Sequence, residues 1–236
     1  MPPNKITLII PYYCQPQMLK MQLSYWRGYP SALRDLVRVV VVDDGSPRLP
    51  AADVLKSEAL PLFDLRLFRI KENIQWNVPG AKNLGVTQAK TDWIYLGDID
   101  HVLPAVSIER LCEMELSTAC FYSIGRKRAV KMAEDQLTFK LINSHIDTFV
   151  MSRAAYWNIG GYLPKRLGSY YKGPCQFFRK QVQRHLRRVE LNDVFHIFFD
   201  DSIVPDAITT DFPKDSNPAR GEFVGPLWFN WEEVVL

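Results

Sequence analysis

The sequence predicts an α/β protein with an open, mostly parallel twisted sheet that is flanked by helices. Apolar runs typical of strands alternate with segments of helical spacing, so that four strands and three helices follow one another in the first half of the chain. The valine-rich run at residues 37–42 is typical of a strand that is buried on both faces of a parallel sheet. With 236 residues and 47% hydrophobic content, the chain can build one such domain.

Local signals place the elements of the first half. A strand at residues 6–10 ends at Pro11, and a helix at 17–27 stops near Gly28. Pro79 is well placed to open a helix, because proline is favoured in the first helical turn. The other elements predicted here are strands at 37–42, 65–70 and 93–97 and a helix at 80–89.

The second half is predicted to be more mixed, and it shows no clear domain boundary. The predicted elements are helices at 105–116 and 177–188, strands at 119–124, 145–151 and 189–199, and a helix from Arg153 that is stopped by Gly160 and Gly161. From Asp200 onward, prolines and polar residues dominate, which predicts a tail that wraps over the site or stays mobile.

Composition excludes several classes of protein. The formal net charge of +3 suits a small anionic ligand and gives no argument for nucleic acid. The four cysteines form no CxxC pair and have no metal-site spacing, which favours free thiols in a reducing compartment. There is no signal-peptide core near the N-terminus and no apolar run of membrane-spanning length. We therefore expect a soluble, cytoplasmic protein without a transmembrane segment.

Two carboxylates follow the strand at residues 93–97. Asp98 and Asp100 are separated by one residue, and side chains at i and i+2 of an extended segment point to the same side. Ile99 between them would turn into the core. Hard oxygen ligands of this kind, next to a diphosphate, are what Mg²⁺ or Mn²⁺ requires.

Three strand ends carry residues that could bind a ligand, and topology brings such ends to one crevice. Asp44 could accept a hydrogen bond from a nucleobase or could cap its own turn. Tyr13 could stack on a base or belong to the core. Lys82, near a helix start, could pair with a diphosphate or be a solvated charge. Together these residues supply the parts of a nucleoside-diphosphate site.

The motifs resemble, in order and spacing, the nucleotide-binding half of family 2 glycosyltransferases, which have the GT-A fold. The resemblance covers roughly residues 5–104, and it rests on LIIPYY at 8–13, VVDDGSP at 41–47, GAKNLG at 80–85 and DID at 98–100. Farther on, residues 151–153 and 159–162 resemble the segment in which a glycine pair precedes the acceptor site. The resemblance implies a single GT-A-like domain over 1–236, with a donor half at 1–104 and an acceptor half and C-terminal tail at 105–236.

The resemblance also implies a function. The enzyme would move a sugar from a UDP-, GDP- or dTDP-sugar to an acceptor hydroxyl, on a glycan or another acceptor, by a metal-dependent and inverting reaction. It further implies a role for each matching residue. Tyr13 and Asp44 would hold the base, Pro11 and Lys82 would lie at the donor site, Asp98 would contact the ribose or the metal, and Asp100 would bind Mn²⁺ or Mg²⁺ directly.

The sequence departs from the family pattern after the glycine pair. The acidic general base that the family usually has there is missing, because residues 167–179 contain no carboxylate. The catalytic base is therefore unassigned, with Asp200 and Asp201 as candidates. For a third metal ligand, Asp211 and His196 are candidates.

Two other functions compete with sugar transfer. A nucleotidyltransferase would also use acidic metal ligands on an α/β sheet, but such enzymes open with a glycine-rich loop where this chain has Pro-Tyr-Tyr-Cys. A non-catalytic nucleotide-sugar or glycan-binding domain is the main alternative, because the usual acid is missing.

Overall fold

A computed structural model describes residues 2–61, 63–132, 136–163, 174–208 and 226–236. Its strands are β1 (Ile6–Tyr12), β2 (Val37–Asp43), β3 (Asp64–Ile70), β4 (Trp93–Leu96), β5 (His101–Val102), β6 (Cys120–Lys131), β7 (Leu137–Ile142), β8 (Phe149–Ser152), β9 (Arg187–Phe198) and β10 (Trp231–Val234). Its α-helices are α1 (Pro16–Arg27), α2 (Ala51–Ser57), α3 (Val78–Gln88), α4 (Ala105–Glu113), α5 (Arg153–Asn158) and α6 (Pro174–His185). The predicted α/β class is confirmed.

One mixed sheet organises the described residues. Its strand order is β10-β3-β2-β1-β4-β8-β6-β9-β5, and β7 pairs with β6. Strands β3, β2, β1 and β4 are parallel, whereas β8 runs antiparallel to β4 and to β6. Because the chain leaves β1 toward β2 on one side and returns to β4 on the other, the carboxyl end of β1 lies at a point where the strand order reverses. Such a point forms a crevice in open α/β sheets.

Helices cover both faces of the sheet, as predicted. On one face, α1, α2 and α4 bury apolar side chains such as Leu23, Leu55 and Leu111 against alternate residues of β1 and β2. On the other face, α3, α5 and α6 bury Leu84, Tyr156 and their neighbours. The central strands are thus apolar on both sides, which explains the near-continuous hydrophobic runs in their sequences.

Several element boundaries differ from the sequence prediction. The strand predicted at 145–151 begins only at Phe149, because β8 pairs with β4 from Leu96 onward and β4 ends there. The helix predicted at 177–188 is α6, which ends at His185, because Arg187 already pairs with Cys120 of β6. Tertiary pairing, rather than local propensity, sets both boundaries.

Three strands were missed by the sequence analysis. The second part of β6 and its partner β7 form a hairpin rich in charged residues, which lacks the apolar run of a buried strand. The tail predicted from Asp200 contains β10, which adds to the edge of β3 with Trp231 opposite Ile70. The short strand β5 pairs with the end of β9. Residues 209–225, which include the candidate ligand Asp211, lie outside the described residues.

Candidate functional site

A cleft of about 360 Å³ lies at the carboxyl ends of β1, β2 and β4. The register of the sheet brings these ends together, since Tyr12 is opposite Asp43 and Ile9 is opposite Leu96. The predicted donor residues and the two predicted metal-binding aspartates line this cleft: Pro11, Tyr13, Asp44, Lys82, Asp98 and Asp100.

The two adjacent aspartates at the end of β2 have different tasks. Asp43 is a turn residue, because its carboxylate accepts hydrogen bonds from the backbone N–H groups of Ser46 (2.9 Å) and Ala51 (2.9 Å). The second bond satisfies a free N–H at the start of α2. Gly45 has φ +70°, and a Cβ there would lie 2.2 Å from the carbonyl oxygen of Glu72, so the turn requires glycine. Asp44 is therefore left to face the cleft.

Asp44 is a buried carboxyl group held by an amide. Its Oδ1 accepts a hydrogen bond of 2.9 Å from Asn77 Nδ2, and the Oδ1 of Asn77 accepts one of 3.1 Å from Trp228 Nε1. Burial raises the pKa of Asp44 to about 7, an effect that the Asn77 hydrogen bond opposes and the Asp43 charge reinforces. A carboxyl group in this state can accept a hydrogen bond from a ligand N–H.

Aromatic side chains form the wall beside Asp44. Tyr13 is 6% exposed, and its hydroxyl donates to Asn73 Oδ1 at 3.1 Å. Trp76 also lines the cleft and has φ +46°, a left-handed conformation that is rare for a bulky side chain. Strained residues of this kind concentrate at ligand sites. The wall offers flat apolar surface for a base.

Lys82 is a buried cation, and it is paired with Asp98. Its Nζ lies 2.8 Å from Asp98 Oδ1 and donates to the backbone carbonyl of Asp147 at 3.2 Å, and Lys82 is only 1% exposed. Burial alone would lower the pKa of Lys82, but the charge and hydrogen bond of Asp98, together with the nearby Asp147 and Cys175, outweigh it and the pKa is raised. Burial would likewise raise the pKa of Asp98, but Lys82 and two nearby histidines hold it well below its usual range. Both groups are charged at neutral pH.

Asp98, Asp100 and His101 form a candidate metal site. One ligand atom from each residue lies within 4.8 Å of the others. His101 Nδ1 is 2.6 Å from Asp100 Oδ1, and its buried Nε2 has no hydrogen-bond partner among the described residues. Two carboxylates and an imidazole are a donor set that suits Mn²⁺ and is compatible with Mg²⁺. The residues present therefore fit a divalent cation.

Two further histidines support this group. His145 Nδ1 lies 3.4 Å from Asp98 Oδ2 and 2.8 Å from Thr148 Oγ1, and its ring centroid is 4.7 Å from that of His101. Burial lowers the pKa of His145 to about 4, so the imidazole is neutral at pH 7. His196, the sequence candidate for a metal ligand, is fully buried behind His101, with Nδ1 3.3 Å from the Tyr95 hydroxyl. It does not line the cleft.

The two candidates for the catalytic base, Asp200 and Asp201, lie outside the cleft, and both accept hydrogen bonds from other residues. Asp200 accepts hydrogen bonds from Arg128 and Ser202, and Asp201 accepts one from the Ile208 backbone N–H. Neither residue lines the cleft.

Sequence reasoning missed His101, His145, Asp147 and Trp76, which all line the cleft. His101 directly follows Asp100, so the extension of the DID motif to DIDH was an available signal. His145 and Asp147 were hidden by the prediction that a strand begins at residue 145, whereas the structure places both in the loop before β8.

The model of glycosyl transferase family 2 matches residues 7–166, more than half of the chain. No curated protein matches the sequence significantly. None of the described helices combines the length and apolarity that crossing a bilayer requires.

Solved structures similar to this chain are glycosyltransferase folds. The mannosyltransferase PcManGT from Pyrobaculum calidifontis, in complex with GDP-Man and Mn²⁺, has a TM-score of 0.59 and 20% identity over 84% of this chain and 57% of its own. TarS 1–349 from S. aureus has a TM-score of 0.61 and 19% identity over 86% and 63%. The same protein in complex with UDP-GlcNAc has a TM-score of 0.62 and 17% identity over 83% and 58%. At these identities the likeness shows the fold, and this chain spans less than two thirds of each of those chains.

Proposed function

The chain belongs to glycosyl transferase family 2, and on this premise we propose that it transfers a sugar from a nucleoside-diphosphate sugar to an acceptor hydroxyl. The observation that carries the proposal is the single cleft in which an aromatic wall, a buried carboxyl, a buried lysine and a paired-carboxylate metal group converge. Each of these groups matches one part of a nucleotide sugar. The similar structures support the proposal, since one is titled as a complex with GDP-Man and another as a complex with UDP-GlcNAc.

The nucleoside would bind at the ends of β1 and β2. In our proposal Tyr13 and Trp76 flank the base and Pro11 forms the floor, while Asp44 accepts a hydrogen bond from a base N–H. Asn77 keeps the Asp44 carboxyl in place for this contact. The buried position of Asp44 would make the contact selective, because an unpaired polar group there is costly.

The diphosphate would bind between Lys82 and the carboxylates that follow β4. Asp98, Asp100 and His101 would hold Mn²⁺ or Mg²⁺, which would neutralise charge that develops on the leaving diphosphate. Lys82 adds a fixed positive charge, because the ion pair with Asp98 keeps its ammonium group protonated and oriented. His145 and Thr148 fix the second oxygen of Asp98, so that the carboxylate does not rotate away.

The acceptor would enter from the side of residues 105–236. We propose that residues 1–104 form the donor half and the remainder the acceptor half of one domain, because the loop before β8, Arg126 of β6 and Phe198 at the end of β9 complete the cleft. We further propose an inverting displacement on a glycan hydroxyl. Direct attack by the acceptor needs one base and no covalent sugar–enzyme intermediate.

A thermal-shift screen tests donor binding. UDP-Glc, UDP-GlcNAc, GDP-Man and dTDP-Glc are each added with Mn²⁺, with Mg²⁺ or with EDTA. A ligand at about one hundred times its Kd should stabilise the protein by about 2.7 kcal/mol, so one nucleotide class should raise Tm clearly and do so only with metal. If no nucleotide raises Tm, the proposed donor site is wrong.

Mass spectrometry then separates an enzyme from a binding domain. The donor that binds is incubated with a panel of glycan acceptors, and both transfer and hydrolysis to free sugar are measured. Either product supports the proposed transferase. If a donor binds but neither product forms, the chain is a nucleotide-sugar-binding domain.

A further inference from the structure

We propose that Asp147 is the general base that deprotonates the acceptor hydroxyl. The inference rests on the proposed function and goes beyond it, since the family position for this residue carries no carboxylate in this chain. Asp147 comes from a different part of the fold, the loop between β7 and β8.

The Asp147 carboxylate differs from the other carboxylates in the cleft, because it has no hydrogen-bond partner among the described residues. Within the part of the chain that the structure describes, four carboxylates line the cleft: Asp44, Asp98, Asp100 and Asp147. The first three are held by Asn77, Lys82 and His101 respectively. The Oδ1 of Asp147 lies 3.6 Å from a guanidinium nitrogen of Arg179, which is close enough for attraction but beyond a hydrogen bond.

The backbone holds Asp147 beside the reacting end of the donor site. Its carbonyl accepts a hydrogen bond from Lys82 Nζ, and the next residue, Thr148, donates to Asp98 Oδ2 at 3.3 Å. The loop is thus fixed to the pair that would hold the diphosphate. Since the anomeric carbon of the donor is bonded to that diphosphate, the loop keeps the Asp147 carboxylate in the same cleft as the bond to be broken.

The surroundings of Asp147 suit a base. Burial raises its pKa, and Asp98 adds to this effect, while Lys82 and Arg179 oppose it. The Cys175 thiol faces the same space, and burial raises its pKa to about 12, so it adds no charge at neutral pH. A base whose pKa is raised toward the working pH removes a proton more effectively than an ordinary carboxylate.

The proposed step balances in atoms and charge. The acceptor O–H proton moves to Asp147 while the acceptor oxygen forms a bond to the anomeric carbon. The bond from that carbon to the β-phosphate oxygen breaks, and its electron pair leaves with the nucleoside diphosphate. Asp147 then returns its proton to water. When water takes the place of the acceptor, the same step is donor hydrolysis.

Donor hydrolysis therefore tests the inference without a known acceptor. Release of nucleoside diphosphate from UDP-GlcNAc, UDP-Glc and GDP-Man is measured with Mn²⁺ for the wild type and for Asp147→Asn, across pH 5–9. The variant keeps the shape of the side chain. Calorimetry with UDP and Mn²⁺ reports nucleotide affinity, and circular dichroism reports folding. Arg179→Gln is the matched control, because it removes the same ion pair and leaves the carboxylate.

We expect Asp147→Asn to lower kcat by about 10²- to 10⁴-fold, the usual contribution of a general base, with unchanged UDP affinity. The wild-type rate should fall at low pH as the base becomes protonated. This fall, the acidic limb of the pH–rate profile, should disappear in Asp147→Asn. Arg179→Gln should keep most of the rate and move the limb to higher pH, since it removes a positive charge from beside the carboxylate. If Asp147→Asn does not fold, Asp147→Glu should fold and retain a slower rate with the acidic limb.

Several outcomes would overturn the inference. The inference fails, while the proposed function stands, if Asp147→Asn retains the wild-type rate. The same holds if Arg179→Gln loses as much activity as Asp147→Asn, because that result would show that the Asp147–Arg179 ion pair is structural. The segment 209–225, outside the described residues, contains the carboxylates Asp211, Asp215 and Glu222. The inference also fails if Asp211→Asn, Asp215→Asn or Glu222→Gln abolishes the loss of rate at low pH while Asp147→Asn does not. If the wild type binds UDP with Mn²⁺ but releases nothing from any donor, the proposed function fails and the inference fails with it.

Discussion

At the scale of single residues, neighbouring carboxylates in and beside the cleft have different roles. Asp43 and Asp44 are adjacent, yet one carboxylate closes the turn into α2 and the other faces the ligand space. Asp98 and Asp100 face the same side, and each already contacts a basic partner, Lys82 or His101. Asp98 and Asp100 are therefore held by fixed partners, which reduces the cost of burying their charges.

The first prediction concerns Asp100→Asn. The substitution keeps the shape but removes the negative charge that offsets the metal, and we expect the Mn²⁺-dependent part of UDP affinity to fall by at least about tenfold. Calorimetry with UDP, with and without Mn²⁺, measures the effect. Exposed Asp35→Asn serves as the control. Unchanged affinity and unchanged metal dependence would show that Asp100 is not a metal ligand.

The second prediction concerns Asp44 and pH. Its pKa is about 7 in the folded state and near the ordinary 3.8 when unfolded, so the folded state binds more protons between these values. The free energy of unfolding should therefore fall as pH rises from about 4 to 7, by an amount on the order of 4 kcal/mol for this group. Asp44→Asn should lose this component. Urea unfolding would then give a smaller difference between the free energies of unfolding at pH 5 and pH 8 than in the wild type.

Nucleotide binding gives an independent readout of Asp44. Asp44→Ala should weaken UDP binding by about 1.5–3 kcal/mol, the value of a hydrogen bond to a charged group. If Tm falls but the affinity of the folded fraction does not change, Asp44 has only a structural role.

At the scale of elements, the segment that leads into β10 supports the wall of the cleft at Asp44. Asn77 precedes α3, and its side chain joins Asp44 to Trp228. Strand β10 anchors this segment to the edge of β3, and Asn230 is held by the Glu72 carboxylate. A segment that is distant in sequence thus sets the orientation of the amide that holds Asp44.

The third prediction is that Trp228→Phe weakens both folding and nucleotide binding. The change keeps a large apolar ring but removes the N–H donor to Asn77, which should lower the free energy of unfolding by about 1 kcal/mol. UDP affinity should fall as well, because the Asn77 amide is less well fixed. Urea unfolding and calorimetry measure the two effects. Trp231→Phe, on the exposed part of β10, should change neither; equal behaviour of the two variants would contradict the prediction.

At the scale of the whole molecule, one sheet contains strands from both residues 1–104 and residues 105–236. Strand β4, which ends at the metal group, pairs with β1 on one side and with β8 on the other. The two apolar clusters likewise contain residues from both halves. The cleft lies across the junction, so binding there depends on both halves at once.

The fourth prediction is that the chain unfolds in one cooperative transition. Urea unfolding curves from far-ultraviolet circular dichroism and from tryptophan fluorescence should coincide. UDP with Mn²⁺ should move both curves to higher urea by the same amount, since the ligand stabilises the common folded state. Two separated transitions, with only one moved by the ligand, would show that the halves are independent domains.

The sequence by itself determined the parallel half of the sheet and the residues at its strand ends. Strands β1, β2 and β4 have near-continuous apolar sequences, and the strand order puts Asp44, Asp98 and Asp100 at one edge of the sheet. Local pattern is sufficient there because a strand buried on both faces must be apolar throughout.

Only the tertiary structure decided the partners of these residues and the other wall of the cleft. Whether Lys82 is solvated or buried against Asp98 depends on how α3 packs, and spacing does not reveal it. The β6–β7 hairpin and β10 are polar or exposed, so their sequences carry no burial signal. Asp147 enters the cleft because β8 starts where β4 ends, and a pairing between strands more than fifty residues apart leaves no trace in either sequence alone.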